Sequence, residues 1–201
     1  MTTARPKVAF LAGPMYGLAS GPRRIAQAPP DMDVFMVDDA LPDEEKIRLC
    51  KDIQALMVVS EPVDFSFLRS CPNVKLVQSS SAGNDLLDLK TLAEMGIPIA
   101  NNGGSNAIAV AEHTLGLMLA VLRDLMTMWQ STTLDRKWRG GRPRRTGMEI
   151  TGKTVGILGM GPIGSHVARL LRGFDTDTIY YDVAEISGEV QRELKARPVA
   201  F

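Results

Sequence analysis

The chain has 201 residues, which is enough for one large domain or two small ones. Its 23 basic and 23 acidic residues cancel, so its charge gives no reason to expect a nucleic acid or an anionic membrane as a partner. Hydrophobic residues make up 45% of the chain and charged residues 23%, a balance typical of a soluble globular protein.

The first hundred residues alternate strand-like and helix-like segments. Short apolar runs predict five strands, at residues 7–12, 33–37, 55–59, 74–78 and 97–100. Helices are predicted at residues 42–51, which have an acidic first turn, around Phe65, Leu68 and Cys71, and from a cap at Asp88 to a stop at Gly96. Such alternation predicts a parallel sheet with helices on both faces.

Targeting and redox signals are weak. The N-terminus leads directly into the first strand, so we expect no signal peptide. The longest apolar stretch, residues 107–122, has Glu112 and His113 at its centre and is too short to span a bilayer. Cys50 and Cys71 match no metal-ligand spacing. Reduced thiols in a cytoplasmic protein without a metal are therefore the simplest interpretation.

Residues 107–130 predict one long helix, with Ser105 or Asn106 as its N-terminal cap. Its apolar residues lie on nearly all sides, which is typical of a helix buried between other elements. We therefore expect it to join two domains and to contribute to a subunit interface.

A basic segment follows at residues 136–145, with six Lys or Arg side chains and Trp138. Basic residues beside an aromatic ring can contact phosphate. The alternative, which the neutral chain favours, is a solvated connector before the next strand.

A Gly-x-Gly-x-x-Gly motif carries the strongest functional signal. The apolar run 154–158 leads into Gly159, Gly161 and Gly164, and a helical pattern follows. In a dinucleotide-binding turn these glycines permit the tight bend, the approach of the phosphates and the close packing of helix on strand. The diphosphate then lies against the unpaired N–H groups of the helix N-terminus. An ordinary glycine turn is the alternative.

A second strand-like run, residues 178–181, ends in Asp182, 18 residues after Gly164. An acidic residue here accepts hydrogen bonds from the ribose hydroxyls and repels a 2′-phosphate, so it favours NAD over NADP. Asp182 as a simple strand-end turn residue is the alternative, but the spacing favours contact with the cofactor.

Residues 185–195 predict a further helix, and residues 197–201 the start of a third strand. A dinucleotide-binding sheet has two βαβαβ halves, and these residues supply about one of them. We expect either that the chain is a piece of a longer protein or that another element covers its unpaired sheet edge.

Several motifs occur in a specific order: SAGNDLLD at 81–88, GIPIA at 96–100, SNAIAVAEH at 105–113, TGKTVGILGMGPIG at 151–164, and Tyr181 with Asp182. Together they resemble the N-terminal portion of the D-isomer-specific 2-hydroxyacid dehydrogenase family, which includes phosphoglycerate and glyoxylate/hydroxypyruvate reductases. The resemblance covers essentially the whole chain.

The resemblance implies an α/β chain with two domains. Residues 1–101 would form a flavodoxin-like substrate domain with a parallel sheet. Residues 102–201 would form an inter-domain helix and the first part of a Rossmann NAD-binding domain. The active site would lie in the cleft between the two domains.

The resemblance also implies site residues. Ala82 and Gly83 would offer backbone N–H groups to a substrate carboxylate, and Asn106 would lie close to the substrate. The implied cofactor-binding residues are Ala82, Gly159, Gly161, Pro162, Ile163, Gly164 and Asp182. Two alternatives stay open: residues 83–85 as an ordinary turn, and Asn106 as a helix cap.

Hydride transfer in this family needs a general acid/base, usually histidine, and an arginine that holds the substrate carboxylate. His113 follows Glu112, but neighbours on a helix point about 100° apart and do not easily pair. We interpret His113 as a structural helix residue and His166 as half-exposed. In the family the catalytic arginine, glutamate and histidine come after the point where this chain ends, so no catalytic residue is assigned here.

The leading hypothesis is an NAD-dependent oxidoreductase that acts on a D-2-hydroxy acid or reduces the 2-keto acid. We expect the full-length protein to be a homodimer through the region of residues 107–130, whereas the sequence leaves the oligomeric state of these 201 residues open. The 201 residues alone are expected to show no substantial turnover. Two alternatives are an NAD-sensing, corepressor-like binding protein without catalysis and a short dimerisation subunit. The sequence does not select one 2-hydroxy acid.

Overall fold

The computed structural model describes residues 5–13, 17–59, 61–138 and 147–200. The chain divides into two compact units, Met1–Gly103 and Gly104–Phe201. Each unit has its own parallel sheet and its own hydrophobic core. Their roles as substrate domain and nucleotide domain remain predictions.

The first unit contains a five-stranded parallel sheet. Its strands are β1 Lys7–Ala12, β2 Asp33–Asp38, β3 Ala55–Val58, β4 Leu76–Ser79 and β5 Ile99–Ala100. They lie in the order β2-β1-β3-β4-β5, and every pairing is parallel. This is the flavodoxin-like order, so the predicted fold class of this unit is confirmed.

Three of the described helices in this unit lie where the sequence predicted them, and one does not. They are α1 Gly17–Ala26, α2 Asp43–Cys50, α3 Leu89–Glu94 and a 3-10 helix at Ser66–Ser70. Asp88 caps α3 by accepting the N–H of Thr91 at 3.1 Å, and Gly96 follows α3 with φ +67°, as expected of a glycine stop. The sequence analysis did not predict α1.

Both faces of the first sheet are buried. Along β1, Ala9 and Leu11 belong to one apolar cluster, whereas Phe10 and Ala12 belong to another. Because side chains of a strand alternate between its two faces, the clusters lie on opposite sides of the sheet. Cys50 of α2 and Leu92 of α3 belong to the first cluster, and Gly21 of α1 lies beside Phe10 on the other face, so helices lie on both faces as predicted.

The second unit contains a three-stranded parallel sheet in the order β6-β7-β8. Its strands are β6 Thr154–Leu158, β7 Asp177–Tyr181 and β8 Ala196–Pro198. Helix α4, Ala107–Leu122, and helix α5, Leu125–Trp129, come before β6. Helix α6, Pro162–Leu171, connects β6 to β7, and helix α7, Gly188–Leu194, connects β7 to β8. This βαβαβ arrangement is one half of a Rossmann sheet, as predicted.

The predicted single helix over residues 107–130 is wrong. Helix α4 covers Ala107–Leu122 and α5 covers Leu125–Trp129, followed by one π-helical turn at Gln130–Leu134. The break lies at Asp124, which has the left-handed backbone angles φ 51° and ψ 42°. One residue in this conformation ends the α-helical hydrogen-bond ladder, whatever the hydrophobic pattern on either side.

The composition of α4 suggested a helix buried on all sides, but one side of it is exposed. Ala111, Leu115 and Leu119 pack with Val167 and Leu171 of α6. On another side, Leu117 and Val121 are exposed. Within the described part of the chain, no helix combines the length and apolar character needed to cross a membrane.

Most of the predicted basic connector, at residues 139–145, lies outside the described residues. Its described start includes Arg136, which has a positive φ of 53°, and Trp138, which is exposed.

Candidate functional site

The glycine motif lies at a strand-to-helix turn, between the end of β6 and the start of α6. Gly159 has φ +89°, a backbone angle that L side chains rarely adopt. Its N–H donates to the carbonyl oxygen of Tyr181 at 2.8 Å, so the turn is fixed against the end of β7. Glycine at position 159 is thus required by backbone geometry.

Gly164 allows α6 to approach the turn closely. A Cβ on Gly164 would overlap the carbonyl oxygen of Gly159 and would lie 3.2 Å from a methyl group of Ile157. Backbone atoms cannot move aside as a flexible side chain can. The third glycine of the motif is therefore needed for close packing of helix on strand.

The N-terminus of α6 presents backbone N–H groups. Gly161 is the N-cap residue, and Pro162 occupies the first helical position, where the missing N–H costs nothing. The first N–H groups of a helix have no intrahelical acceptor, and here they belong to Gly161, Ile163 and Gly164. A Cβ on Gly161 would have no contact within 4 Å, so the space in front of this helix end is open.

Asp182 follows β7 and connects the two strand ends. Its Oδ2 accepts the N–H of Met160 at 2.6 Å, and its Oδ1 accepts the N–H of Ala184 at 2.8 Å. Met160 is buried, and in the sequence it lies between the first two glycines of the motif. The carboxylate is thereby held beside the glycine turn.

These hydrogen bonds keep Asp182 ionised. The backbone N–H of Ala184 and then that of Met160 hold the pKa of the carboxyl below its ordinary value of 3.8. Donors that stabilise a carboxylate lower its pKa, so Asp182 is negative at neutral pH. A fixed negative charge here suits hydroxyl donors and opposes phosphate.

The residues of the second unit fit a dinucleotide. A diphosphate needs a positive helix end with free N–H groups and no side chain in its way, and residues 161–164 provide both. A ribose with free hydroxyls needs an acceptor at the end of the second strand, and Asp182 provides one.

In the first unit, the predicted loop at Ala82 and Gly83 follows β4 and is held by its neighbours. Asn101 Nδ2 donates to the carbonyl oxygen of Ala82 at 2.7 Å. The N–H of Asn102 donates to the carbonyl oxygen of Ser81 at 3.0 Å. The segment after β5 thus holds this loop at the carboxyl edge of the sheet, where ligands of open α/β sheets bind.

Two backbone N–H groups of this loop are available as hydrogen-bond donors to a ligand. Within the part of the chain that the structure describes, the N–H groups of Ala82 and Gly83 donate to no protein acceptor. Ala82 is half-buried and Gly83 is exposed. Two adjacent free N–H groups can hold an anionic group such as a carboxylate.

Asn106 occupies the N-cap position of α4, but its side chain does not cap the helix. Its side chain makes no capping hydrogen bond, although its backbone carbonyl accepts the N–H of Val110 at 2.9 Å. The alternative that Asn106 is a helix cap is therefore confirmed for its position in the chain but not for its side chain. Its predicted position near a substrate stays a prediction.

The two histidines lie on helices. His113 is exposed on α4, as is its neighbour Glu112. His166 is half-buried on α6, where its Nδ1 lies 3.2 Å from Nη1 of Arg169. Among the described residues, no group of three His, Cys, Asp or Glu side chains could hold a metal ion.

Two features of the site were not predicted from the sequence. The hydrogen bond from Met160 to Asp182 joins residues 22 positions apart, and the one from Asn101 to Ala82 joins residues 19 apart. The asparagine pair at 101–102, directly after a predicted strand, was the signal that could have indicated the second bond.

The fold and the glycine turn define a parallel α/β chain with a dinucleotide-type turn. A family model described as D-isomer specific 2-hydroxyacid dehydrogenase, catalytic domain, matches residues 18–197. A glyoxylate reductase of Thermofilum pendens is 33% identical over 145 residues, which cover 70% of this chain and 42% of that protein. The chain belongs to the D-isomer-specific 2-hydroxyacid dehydrogenase family.

A second relative and a solved structure agree with this family and this fold. A D-3-phosphoglycerate dehydrogenase of Archaeoglobus fulgidus is 32% identical over 140 residues, covering 69% of this chain and 26% of that protein. The solved structure of a D-lactate dehydrogenase of Aquifex aeolicus, complexed with NAD and lactic acid, matches the fold with a TM-score of 0.71 at 20% identity. That match covers 96% of this chain and 56% of the other. The chain thus spans less than half the length of these two curated relatives.

Proposed function

We propose that this chain provides the substrate-carboxylate loop and the NAD diphosphate and ribose contacts of an NAD-dependent D-2-hydroxyacid dehydrogenase. The observation that carries the proposal is the hydrogen bond from Met160 to Asp182, which places an ionised carboxylate beside an open, glycine-lined helix end. When bound, NAD supplies a nicotinamide ring that accepts or donates a hydride.

On the cofactor side, the proposed residues are Gly159, Gly161, Pro162, Ile163, Gly164 and Asp182, with Ala82 nearby. The free N–H groups of Ile163 and Gly164 would hold the diphosphate. The charge of Asp182 would accept ribose hydroxyls and repel a 2′-phosphate, which favours NAD over NADP.

On the substrate side, the N–H groups of Ala82 and Gly83 would hold the carboxylate of a small 2-keto or 2-hydroxy acid, with Asn106 close to the substrate. Residues 1–101 would then serve as the substrate domain and residues 102–201 as the helix and first part of the nucleotide domain. The general acid/base and the arginine are not proposed among these 201 residues, so the chain alone is expected to show no substantial turnover.

We also propose a homodimer through the region of residues 107–130. Its exposed apolar side chains include Leu117, Val121, Leu125, Met126 and Trp129. Leu117 and Val121 are four residues apart and therefore share one face of α4, and exposed apolar side chains on one face are typical of a protein–protein contact.

Asp182→Ala tests the cofactor assignment. We expect this change to weaken NADH binding about 10-fold or more, because hydrogen bonds to a charged group are lost. It should also reduce the preference for NADH over NADPH, since the negative charge is removed. Fluorescence titration of the full chain with NADH and with NADPH measures both effects.

Asp177→Ala is the matched control. Asp177 lies at the start of the same strand, where it pairs with Arg197 at 3.1 Å, and its removal should leave NADH affinity unchanged. Equal NADH affinities of wild type and Asp182→Ala would contradict the proposal.

A further inference from the structure

A cavity at the amino edge of the second sheet lies apart from the glycine turn. Its volume is about 340 Å³, and its walls are the first residues of β7 and β8, Asp177 and Ala196, together with one side of α7. The strands of this sheet are parallel, and the glycine turn follows the carboxyl end of β6. The cavity and the glycine turn are therefore at opposite edges of the sheet.

The walls of this cavity are positively charged. Among the described residues that line it, Arg192, Lys195 and Arg197 are cationic and Asp177 is acidic. Arg197 pairs with Asp177 at 3.1 Å. Within the part of the chain that the structure describes, the side chains of Arg192 and Lys195 form neither an ion pair nor a hydrogen bond. Two cations thus remain available to a ligand in the cavity.

The negative C-terminal end of α7 does not explain where the Arg192 side chain lies. Cations are favoured near the C-terminus of a helix, and Arg192 is in the last turn. Its guanidinium nevertheless turns back towards the start of the helix, because its Nη1 would lie 3.4 Å from a Cβ placed on Gly188. Arg192 therefore lies along the wall of the cavity instead of over the last carbonyl groups.

Lys195 keeps a side chain at a position where glycine would be easier. It ends α7 with the left-handed backbone angles φ 50° and ψ 42°. Glycine is the usual residue in this conformation at a helix end, because a Cβ costs free energy there. The chain gives up that advantage at position 195 and supplies an ammonium group to the cavity.

These side chains have the chemistry of a phosphate site. Guanidinium groups bind phosphate oxygens through paired N–H donors, and an ammonium group adds a compact positive charge. A volume of about 340 Å³ is at the lower end of the range for small-molecule sites. The expected ligand is therefore a small molecule with a phosphate group.

We propose that the cavity between α7 and the amino ends of β7 and β8 binds a phosphate group, as inorganic phosphate or as a phosphate monoester, through Arg192, Lys195 and Arg197. This inference goes beyond the proposed function and does not depend on it. None of the three cations belongs to the proposed cofactor or substrate contacts.

Amide chemical shifts of the full chain, labelled with ¹⁵N, locate the bound phosphate. Inorganic phosphate and phenyl phosphate are titrated separately at constant ionic strength, with NADH present to occupy the glycine turn. We expect saturable shifts at residues 188 and 195–197. Tighter binding of phenyl phosphate would identify a phosphate ester as the ligand, and equal affinities would identify free phosphate. Shifts confined to residues 159–164, or shifts that do not saturate, would overturn the inference.

Lys195→Gln should weaken phosphate binding about tenfold, because a hydrogen bond between charged groups is lost. Lys153→Gln is the matched control. Lys153 is exposed directly before β6, at the same edge of the sheet, and does not line the cavity, so its substitution should leave phosphate affinity unchanged. Equal losses in the two variants would mean that phosphate responds only to the total charge, and the proposed site would be refuted.

Asp177→Asn should change phosphate affinity in the opposite direction. It removes the acid that pairs with Arg197, so we expect phosphate to bind about threefold more tightly. A chain that folds poorly would not gain affinity, which separates this effect from a loss of structure. Unchanged or weaker binding would count against Arg197 as a phosphate ligand and against the proposal.

Lys195→Gly separates a binding role from a structural one. Glycine suits the left-handed conformation at this position, so the Tm of the ligand-free variant should equal or exceed that of wild type. Its phosphate affinity should fall as in Lys195→Gln. A fall of several degrees in Tm would show that the Lys195 side chain stabilises the fold, which contradicts its assignment to a ligand.

Discussion

Asp182 is held by the fold through both of its carboxylate oxygens, and we propose that the same oxygens contact the cofactor. Each of its oxygens accepts one backbone N–H, from Met160 or from Ala184. A carboxylate oxygen can accept two hydrogen bonds, so each oxygen keeps capacity for a ligand hydroxyl. Because Met160 belongs to the glycine turn, one hydrogen bond sets the position of the acidic group relative to the diphosphate-binding residues proposed here.

Burial raises the pKa values of the two cysteine thiols. Burial raises the pKa of the Cys50 thiol to about 11. The neighbouring Cys71 raises this pKa further, whereas Lys46 lowers it. Burial also raises the pKa of Cys71. A buried thiol stays neutral in the folded chain while the unfolded one ionises near 9.0. The stability that Cys50 contributes is therefore complete below pH 9.0 and is lost as the pH rises towards about 11.

A thiol-labelling experiment checks this prediction. At pH 8 we expect a disulfide-exchange reagent to label neither Cys50 nor Cys71 in the native chain, because the reactive species is the thiolate. Both should be labelled promptly after unfolding in guanidinium, which serves as the control. Rapid labelling of native protein at pH 8 would contradict the burial described here.

At the scale of elements, the contact of α6 with the end of β6 depends on Gly164. Gly164→Ala would place a methyl group against the carbonyl oxygen of Gly159, so we expect a loss of about 1–3 kcal/mol in the free energy of unfolding. Urea unfolding followed by circular dichroism measures the change.

Gly173→Ala provides the comparison for that substitution. Gly173 follows α6 in the same unit, and a Cβ there would have no contact within 4 Å. The Gly173→Ala substitution should change the free energy of unfolding by no more than about 0.5 kcal/mol. Similar losses for the two variants would argue against the close packing at Gly164.

The elements differ in how well their sequences predicted them. β1 and β6 are apolar runs that end in glycine, and they were placed correctly from local pattern. Helix α1 was missed because it contains Pro22, which normally disfavours a helix interior. It packs against the sheet through buried Gly21, close to Phe10 and Met36, and that contact is not visible in the local pattern.

At the scale of the whole molecule, the exposed apolar side chains of α4 and α5 are the basis of the proposed dimer. Val121 is 77% exposed and Met126 is 71% exposed. We expect wild type to have twice the 21.9 kDa mass of one chain in solution and the Val121→Asp/Met126→Asp variant to have the mass of one chain, because buried unpaired charges oppose association. Light scattering coupled to size exclusion measures this.

Val183→Asp is the control for this variant. Val183 is 93% exposed in the same unit but lies after β7, away from α4 in sequence, so its substitution should leave the mass unchanged. A wild-type mass of one chain would contradict the proposed dimer.

The sequence by itself determined the class of each unit. Strand-length apolar runs separated by helices specify parallel βαβ units, and the spacing of Gly159, Gly161 and Gly164 specifies the turn. These features are local, because backbone conformation depends on a residue and its near neighbours. The 18-residue distance from Gly164 to Asp182 likewise indicates an acidic residue at the end of the second strand.

Only the tertiary structure decided which groups meet. The bond between Met160 and Asp182, the hold of Asn101 on Ala82 and the ion pair of Arg197 with Asp177 all depend on segments that are far apart in the chain. Hydrogen bonding and burial are set by these long-range neighbours, and the same residue types in another packing would pair differently. For the same reason the hydrophobic pattern of α4 did not reveal which of its faces the fold would leave exposed.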